Sequence, residues 1–266
     1  MARRTIRIGV VAIATAAVVT ALSVGTRVLL RRQAAHARAL IGKPLGEIAL
    51  DADRRYKAKR GDPISLVLLG DSIAAGLGAT LPRETLGARL AKGLSRGTHR
   101  AVDLHTAATV GAESSMLATQ LKSLPIGYRP DLAVIVVGGN DVTHRVPIET
   151  SVQHLVETIA SLRQRGTEVV VATCPDLSAL RPVPQPLRTL VGQASRHLAV
   201  AQRVAASRAG ARTVDLAAAV GADFVADPVG MFSLDRFHPS ALGYRRTAAA
   251  IVPSLLLAMD PARSVA

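Results

Sequence analysis

From Ile64 onward, short apolar runs alternate with amphipathic stretches, and no other feature of the chain restricts its fold so strongly. Ile64–Leu69, Ala101–Leu104, Leu132–Val137, Val169–Ala172 and a short Arg212–Asp215 read as strands. Residues 82–95, 114–124, 148–165, 187–209 and 241–258 read as helices. Apolar strands separated by helices predict a five-stranded parallel sheet covered by helices on both faces. Two connections break the rhythm. Residues 174–188 carry Pro175, Pro182, Pro184 and Pro186, which exclude a helix and make a long loop at the ligand edge of the sheet. Residues 221–240 form a second long connection before the last helix.

With 266 residues, 49% of them apolar, the chain can bury a sizeable core, so disorder of the whole is excluded. Its net charge of +14 would suggest nucleic acid if spread evenly. It is not: residues 1–60 hold 13 Lys/Arg against 3 Asp/Glu, and residues 61–266 hold 20 against 16. With three Phe, three Tyr and no Trp, stacking platforms are scarce as well, and no nucleic-acid partner is expected. The single cysteine, Cys174, cannot form an internal disulfide and reads as a small core residue. No His/Cys/Asp cluster has ligand spacing, and Gly138-Gly139 lacks the spacing and lysine of a phosphate loop. Neither a metal nor a cofactor is therefore expected.

The uncharged run Ile8 to Thr26 spans about 30 Å as a helix, roughly the thickness of a bilayer core. It predicts an N-terminal transmembrane helix. The competing reading is a cleaved signal peptide, because Arg3, Arg4 and Arg7 form a basic lead. Residues 1–30 are accordingly read as anchor or signal peptide, 31–60 as a basic linker and 61–262 as the globular domain. Arginines flank the run on both sides, so the positive-inside rule leaves the orientation open, with a lean to an extracytoplasmic domain. Arg54, Arg55, Lys57, Lys59 and Arg60 could rest on anionic head groups or simply be solvated.

Four motifs carry chemistry. Gly70-Asp71-Ser72-Ile73 ends the first strand; a serine at such a turn can aim its hydroxyl at a substrate, though the same residues also make ordinary turns and N-caps. Gly111 follows the second strand and can bring a backbone N–H close to a ligand oxygen, or merely turn the chain. Val137-Gly138-Gly139-Asn140-Asp141 follows the most apolar strand; Asn140 can offer a neutral amide to an oxyanion or adopt a left-handed turn. In Asp235-Arg236-Phe237-His238 the carboxylate can bond one imidazole nitrogen and leave the other to take a proton from a serine. His144, near Asn140, is the alternative base, while His36, His99, His105, His154 and His197 read as surface or packing residues.

Taken in order, these four motifs resemble the four blocks of the SGNH (GDSL-type) hydrolases over roughly residues 64–258. The resemblance implies a flavodoxin-like three-layer α/β/α sandwich with a five-stranded parallel sheet. It implies Ser72 as nucleophile, His238 as base and Asp235 as its orienting acid, with the N–H groups of Ser72 and Gly111 and the Asn140 amide as oxyanion hole. The expected activity is hydrolysis of acyl esters through an acyl-enzyme on Ser72. An anchor and a basic linker would hold that site near lipid esters. The alternatives are an O-acetyl esterase of cell-wall carbohydrate and a non-catalytic membrane-tethered binding domain. The oligomeric state is left open.

Overall fold

The computed structural model describes residues 24–260. Six strands, β1 (Arg55–Tyr56), β2 (Ile64–Gly70), β3 (Val102–Thr106), β4 (Leu132–Val136), β5 (Glu168–Ala172) and β6 (Arg212–Val214), form one sheet in the order β1-β3-β2-β4-β5-β6. The helices are α1 (24–41), α2 (Ser72–Ala75), α3 (Leu86–Thr98), α4 (Leu117–Ser123), α5 (Gly139–His144), α6 (Ile148–Arg163), α7 (Leu187–Arg208), α8 (Leu216–Ala226), α9 (Pro228–Met231) and α10 (Ala241–Ala258).

Side chains of β2 point alternately to the two faces, and both are dry. Leu66 and Leu68 join Leu104, Val134 and Val136 beneath α3, α8 and α10. Val67 and Leu69 join Ile135, Val137 and Val171 beneath α4, α6 and α7. Each such leucine contributes about 1.5–3 kcal/mol by leaving water. This two-sided burial explains why the strands read as apolar runs rather than alternating ones.

The expected five-stranded parallel sheet requires correction: the sheet has six strands and is mixed, because β1 pairs antiparallel with β3, Arg55 opposite Asp103 and Tyr56 opposite Val102. Two residues give no apolar period to read. What holds them is tertiary: Tyr56 is buried with its hydroxyl bonded to the Ala52 carbonyl, and Asp53 accepts from the Thr106 N–H at 2.7 Å. The expected transmembrane element is corrected too. Among the described residues no helix is long and apolar enough to cross a membrane. Helix α1 carries Arg27, Arg31, Arg32 and Arg38, and residues 8–23 of the expected span lie outside the described residues. Ala37 of α1 is buried against Leu180 and Val183, and Gln33 bonds the backbone of Gln185 and Leu187.

Strand order decides where a ligand can sit. The chain leaves β2 for β3 on one side, then crosses back to β4 on the other. The carboxyl ends of β2 and β4 are therefore the topological switch point, where the outgoing loops diverge and leave a crevice. Ser72 follows β2 and Asn140 follows β4.

Candidate active site

At the end of β2 the chain must turn sharply against its neighbour. Gly70 takes φ 129°, and a Cβ there would stand 1.8 Å from the Val136 carbonyl oxygen. Only glycine fits. Asp71 then caps α2, its carboxylate accepting from the Ile73 N–H at 2.9 Å, and Ser72 opens that helix. At the first helical position the Ser72 N–H has no preceding carbonyl to bond within the helix.

His238 reaches Ser72 from the loop before α10. Its Nε2 lies 2.9 Å from Ser72 Oγ and its Nδ1 2.5 Å from Asp235 Oδ2. With Nδ1–H donating to the carboxylate, Nε2 is the acceptor facing the hydroxyl. Asp235 is buried, and its other oxygen accepts from the N–H groups of Phe237 and His238, both at 3.0 Å. Burial works against its ionisation, but the hydrogen bonds from the His238 ring and from these two amides outweigh it and hold the carboxyl below the ordinary range. The loop is braced from the Ser72 side: at Gly78 a Cβ would stand 2.4 Å from the Pro239 carbonyl oxygen, and the Tyr244 hydroxyl donates to the Leu77 carbonyl at 2.6 Å.

Asn140 lines the same cavity as Ser72 and His238. One of its amide hydrogens goes to the Ala112 carbonyl at 3.0 Å, and the inventory of that group leaves a second donor. Gly111 sits beside it in an exposed turn at φ 82°, with open space where a Cβ would stand, and is not part of the cavity wall. Asp141 ties the two loops together, its buried carboxylate lying 3.1 and 3.2 Å from the Ser114 N–H. The alternative base, His144, bonds Glu113 at 2.7 Å and stands outside the cavity.

Three side chains support the site, two of which escaped the sequence reading. Gln120 of α4 lies across β2 and satisfies both backbone groups of Gly70, accepting its N–H and donating to its carbonyl, each at 2.8 Å. Gln202 of α7 does the equivalent for β4 and β5, donating to the Val137 carbonyl at 3.0 Å and accepting the Cys174 N–H at 2.7 Å. Two buried glutamines thus clamp the strand ends that carry Ser72 and Asn140. Their only sequence signal is a polar residue on an otherwise core-facing helix stripe. The third is Asp71, whose carboxyl is pushed up to about 6, chiefly by burial, with the nearby Asp141 charge adding to it and hydrogen bonds and His238 opposing it. Cys174 is buried, which raises its thiol far from reactivity. Among the described residues no group of three or more His, Cys, Asp or Glu could hold a metal.

The cavity beside Ser72 measures about 70 Å³. Leu177, Leu180, Val220, Phe224, Phe232 and Phe237 supply most of its apolar wall. Its chemistry is a hydroxyl against an imidazole against a carboxylate, bordered by an amide donor and facing a hydrophobic recess. That set can carry out acyl transfer.

Comparison with known proteins agrees with this chemistry. Residues 68–246 match the GDSL-like Lipase/Acylhydrolase family. The GDSL-like esterase Rv1075c of Mycobacterium tuberculosis is 39% identical over 232 residues, which cover 83% of this chain and 73% of the relative. In fold, the chain is similar to a lipase/acylhydrolase from Enterococcus faecalis, with TM-score 0.57 and 21% identity over 74% of this chain and 98% of that one. It is similar also to the acetyl xylan esterase AlAXEase, with TM-score 0.57 and 19% identity over 72% of this chain and 100% of the other. The strand-end serine, the glycine turns and the match along most of the globular part thus lead to one conclusion: the chain belongs to the GDSL-like lipase/acylhydrolase family and is a hydrolase acting on ester bonds.

Proposed function

We propose that Ser72 attacks the carbonyl carbon of a short-chain acyl ester. The observation that carries this reading is the continuous relay from Ser72 Oγ through the His238 ring to Asp235, at 2.9 and 2.5 Å. As Oγ bonds the carbonyl carbon, its proton passes to His238 Nε2, and the imidazolium so formed is stabilised by the Asp235 carboxylate. The carbonyl oxygen becomes an oxyanion, which the Ser72 N–H and the free Asn140 donor would hold, Gly111 lying outside the cavity wall; one such donor is worth on the order of 100- to 1,000-fold in rate. Collapse expels the alcohol, which takes the proton from His238. Water then gives its proton to Nε2, attacks the acyl-enzyme and releases the acid, restoring Ser72.

The acyl group, on this reading, occupies the apolar recess. A cavity of about 70 Å³ is small beside the roughly 300–1,000 Å³ of drug-sized sites, which favours a short hydrocarbon acyl part, an acetyl ester being the lower limit. Long-chain lipid esters would have to leave most of the chain outside. Hydrolysis rates across p-nitrophenyl esters from acetyl to dodecanoyl test this. A maximum at two to six carbons is expected, and a maximum at ten or more would overturn the short-chain assignment. The role of Ser72 has its own test. A fluorophosphonate should label Ser72 and Ser72→Ala should lose both labelling and turnover with its thermal midpoint unchanged; retained turnover would sink the mechanism.

A further inference from the structure

A second concavity lies on the outer face of α3 and α10 and shares no lining residue with the first. The two helices meet closely because Gly93 has no side chain: a Cβ there would stand 2.5 Å from Val252 Cγ2. Above this contact a groove of about 410 Å³ is rimmed by Arg83, Arg89, Lys92, Arg96 and Arg245. No carboxylate lines it, and no aromatic ring.

Several arginines elsewhere on the helices and strands are paired. Arg55, Arg163, Arg196 and Arg246 each reach an acid, and Arg246 is the immediate neighbour of Arg245. Among the described residues none of the five groove cations forms an ion pair. Three of them are instead anchored on backbone oxygens: Arg89 Nε to Glu84 at 3.0 Å, Lys92 Nζ to Arg83 at 3.3 Å and Arg96 Nε to Lys92 at 3.3 Å. Those bonds fix the side chains and leave further N–H donors on each. Glu84, the acid whose charge acts on Arg89, directs its carboxylate to Thr80. Burial, with the charges of Arg54, Arg89, Arg83 and Lys57, lowers the Lys92 ammonium from its ordinary range. Cations from three separate segments thus line one groove with no carboxylate in its wall and with Glu84 acting on Arg89 alone, an arrangement whose self-repulsion an anion would relieve.

We infer that this groove binds a small ligand through phosphate groups, a diphosphate or a phosphomonoester. Several guanidinium forks around one space match phosphate oxygens pairwise, where a single carboxylate would occupy only one of them. The volume falls within the range of ligand sites, which suits a discrete molecule better than a flat polyelectrolyte. Without a ring in the lining there is no stacking partner for a base.

Titration calorimetry of the full chain with sodium pyrophosphate at about 0.15 M salt, where long-range surface attraction is largely screened, tests the assignment. Saturable one-site binding is expected, weakened at least tenfold in the double variant K92A/R245A, with p-nitrophenyl acetate turnover unchanged. Absence of saturable binding, or equal binding by the double variant, would overturn it. Displacement of pyrophosphate by water-soluble dihexanoyl phosphatidic acid would identify a lipid headgroup, and failure to displace it a free phosphate compound; either supports the site.

Discussion

The role proposed for Ser72 requires that the strand end before it stay fixed, and Gly70 there is held by a side chain from another layer of the fold. Replacing Gln120 by alanine leaves the buried Gly70 N–H without its acceptor, at about 1–3 kcal/mol, while the Gly70 carbonyl loses one of its two donors and keeps the Thr109 N–H at 3.1 Å. A packing role alone would lower the thermal midpoint and nothing else. The clamp predicts more: Gln120→Ala should lower kcat with little change in KM and slow fluorophosphonate labelling of Ser72, and Gln120→Glu, which keeps the acceptor, should recover part of both. Labelling at the wild-type rate would reduce Gln120 to a structural residue. Asp71 yields a pH prediction. Its carboxyl, at about 6, lies above the ordinary value of about 3.9, so the folded state holds a proton that the unfolded chain would release. That contribution to stability is complete below about pH 4 and is lost as the pH rises through about 6. Asp71→Asn keeps an acceptor for Ile73 and removes the charge, so its stability gain over the native chain should be larger at pH 8 than at pH 4. A gain independent of pH would refute the assignment.

At the scale of the element, β2 is the member that carries most. It lies between β3 and β4, is buried on both faces and ends in the turn that presents the serine. Leu66→Ala should cost about 2–5 kcal/mol, measured by urea unfolding, because both a leucine's transfer energy and a cavity are involved. Gly70→Ala should be worse and should yield insoluble chain, since its Cβ would overlap the Val136 carbonyl and its φ of 129° excludes other residues. The control is Gly61→Ala, also at positive φ but with open space around it. If Gly70→Ala folds as well as Gly61→Ala, the close approach of β2 and β4 is not what demands glycine. Of the elements missing from the sequence reading, β1, α2, α5 and α9 have two to six residues, too few to show a period, while the 11 residues of α8 are apolar nearly throughout and so present no polar face against which a stripe could be read. The helices α3, α6, α7 and α10 run for 13 to 22 residues, long enough for their apolar stripes to be read.

For the molecule as a whole, the globular part begins before its first apolar strand. Ala52 and Tyr56 sit in the core under α3, and Asp53 and Arg54 bond the backbone of β3. A chain starting at residue 62 should therefore unfold at lower urea concentration than one starting at residue 48, although the two differ only in a polar, basic stretch. Equal midpoints would mean that the β1 strap adds nothing. The amino-acid order by itself determined the parallel core, because a strand buried on both faces must be apolar throughout. It also determined the Asp235–His238 pair, because three residues of chain suffice to join them. Tertiary structure alone decided the rest. It brought His238 to a serine 166 residues away, set β1 on the edge of the sheet, laid two glutamines across the strand ends and gathered five cations into one groove. Periodicity and short spacings are properties of a local stretch, whereas the partner of a buried amide or an unpaired charge is chosen by whichever distant segment the packing brings beside it.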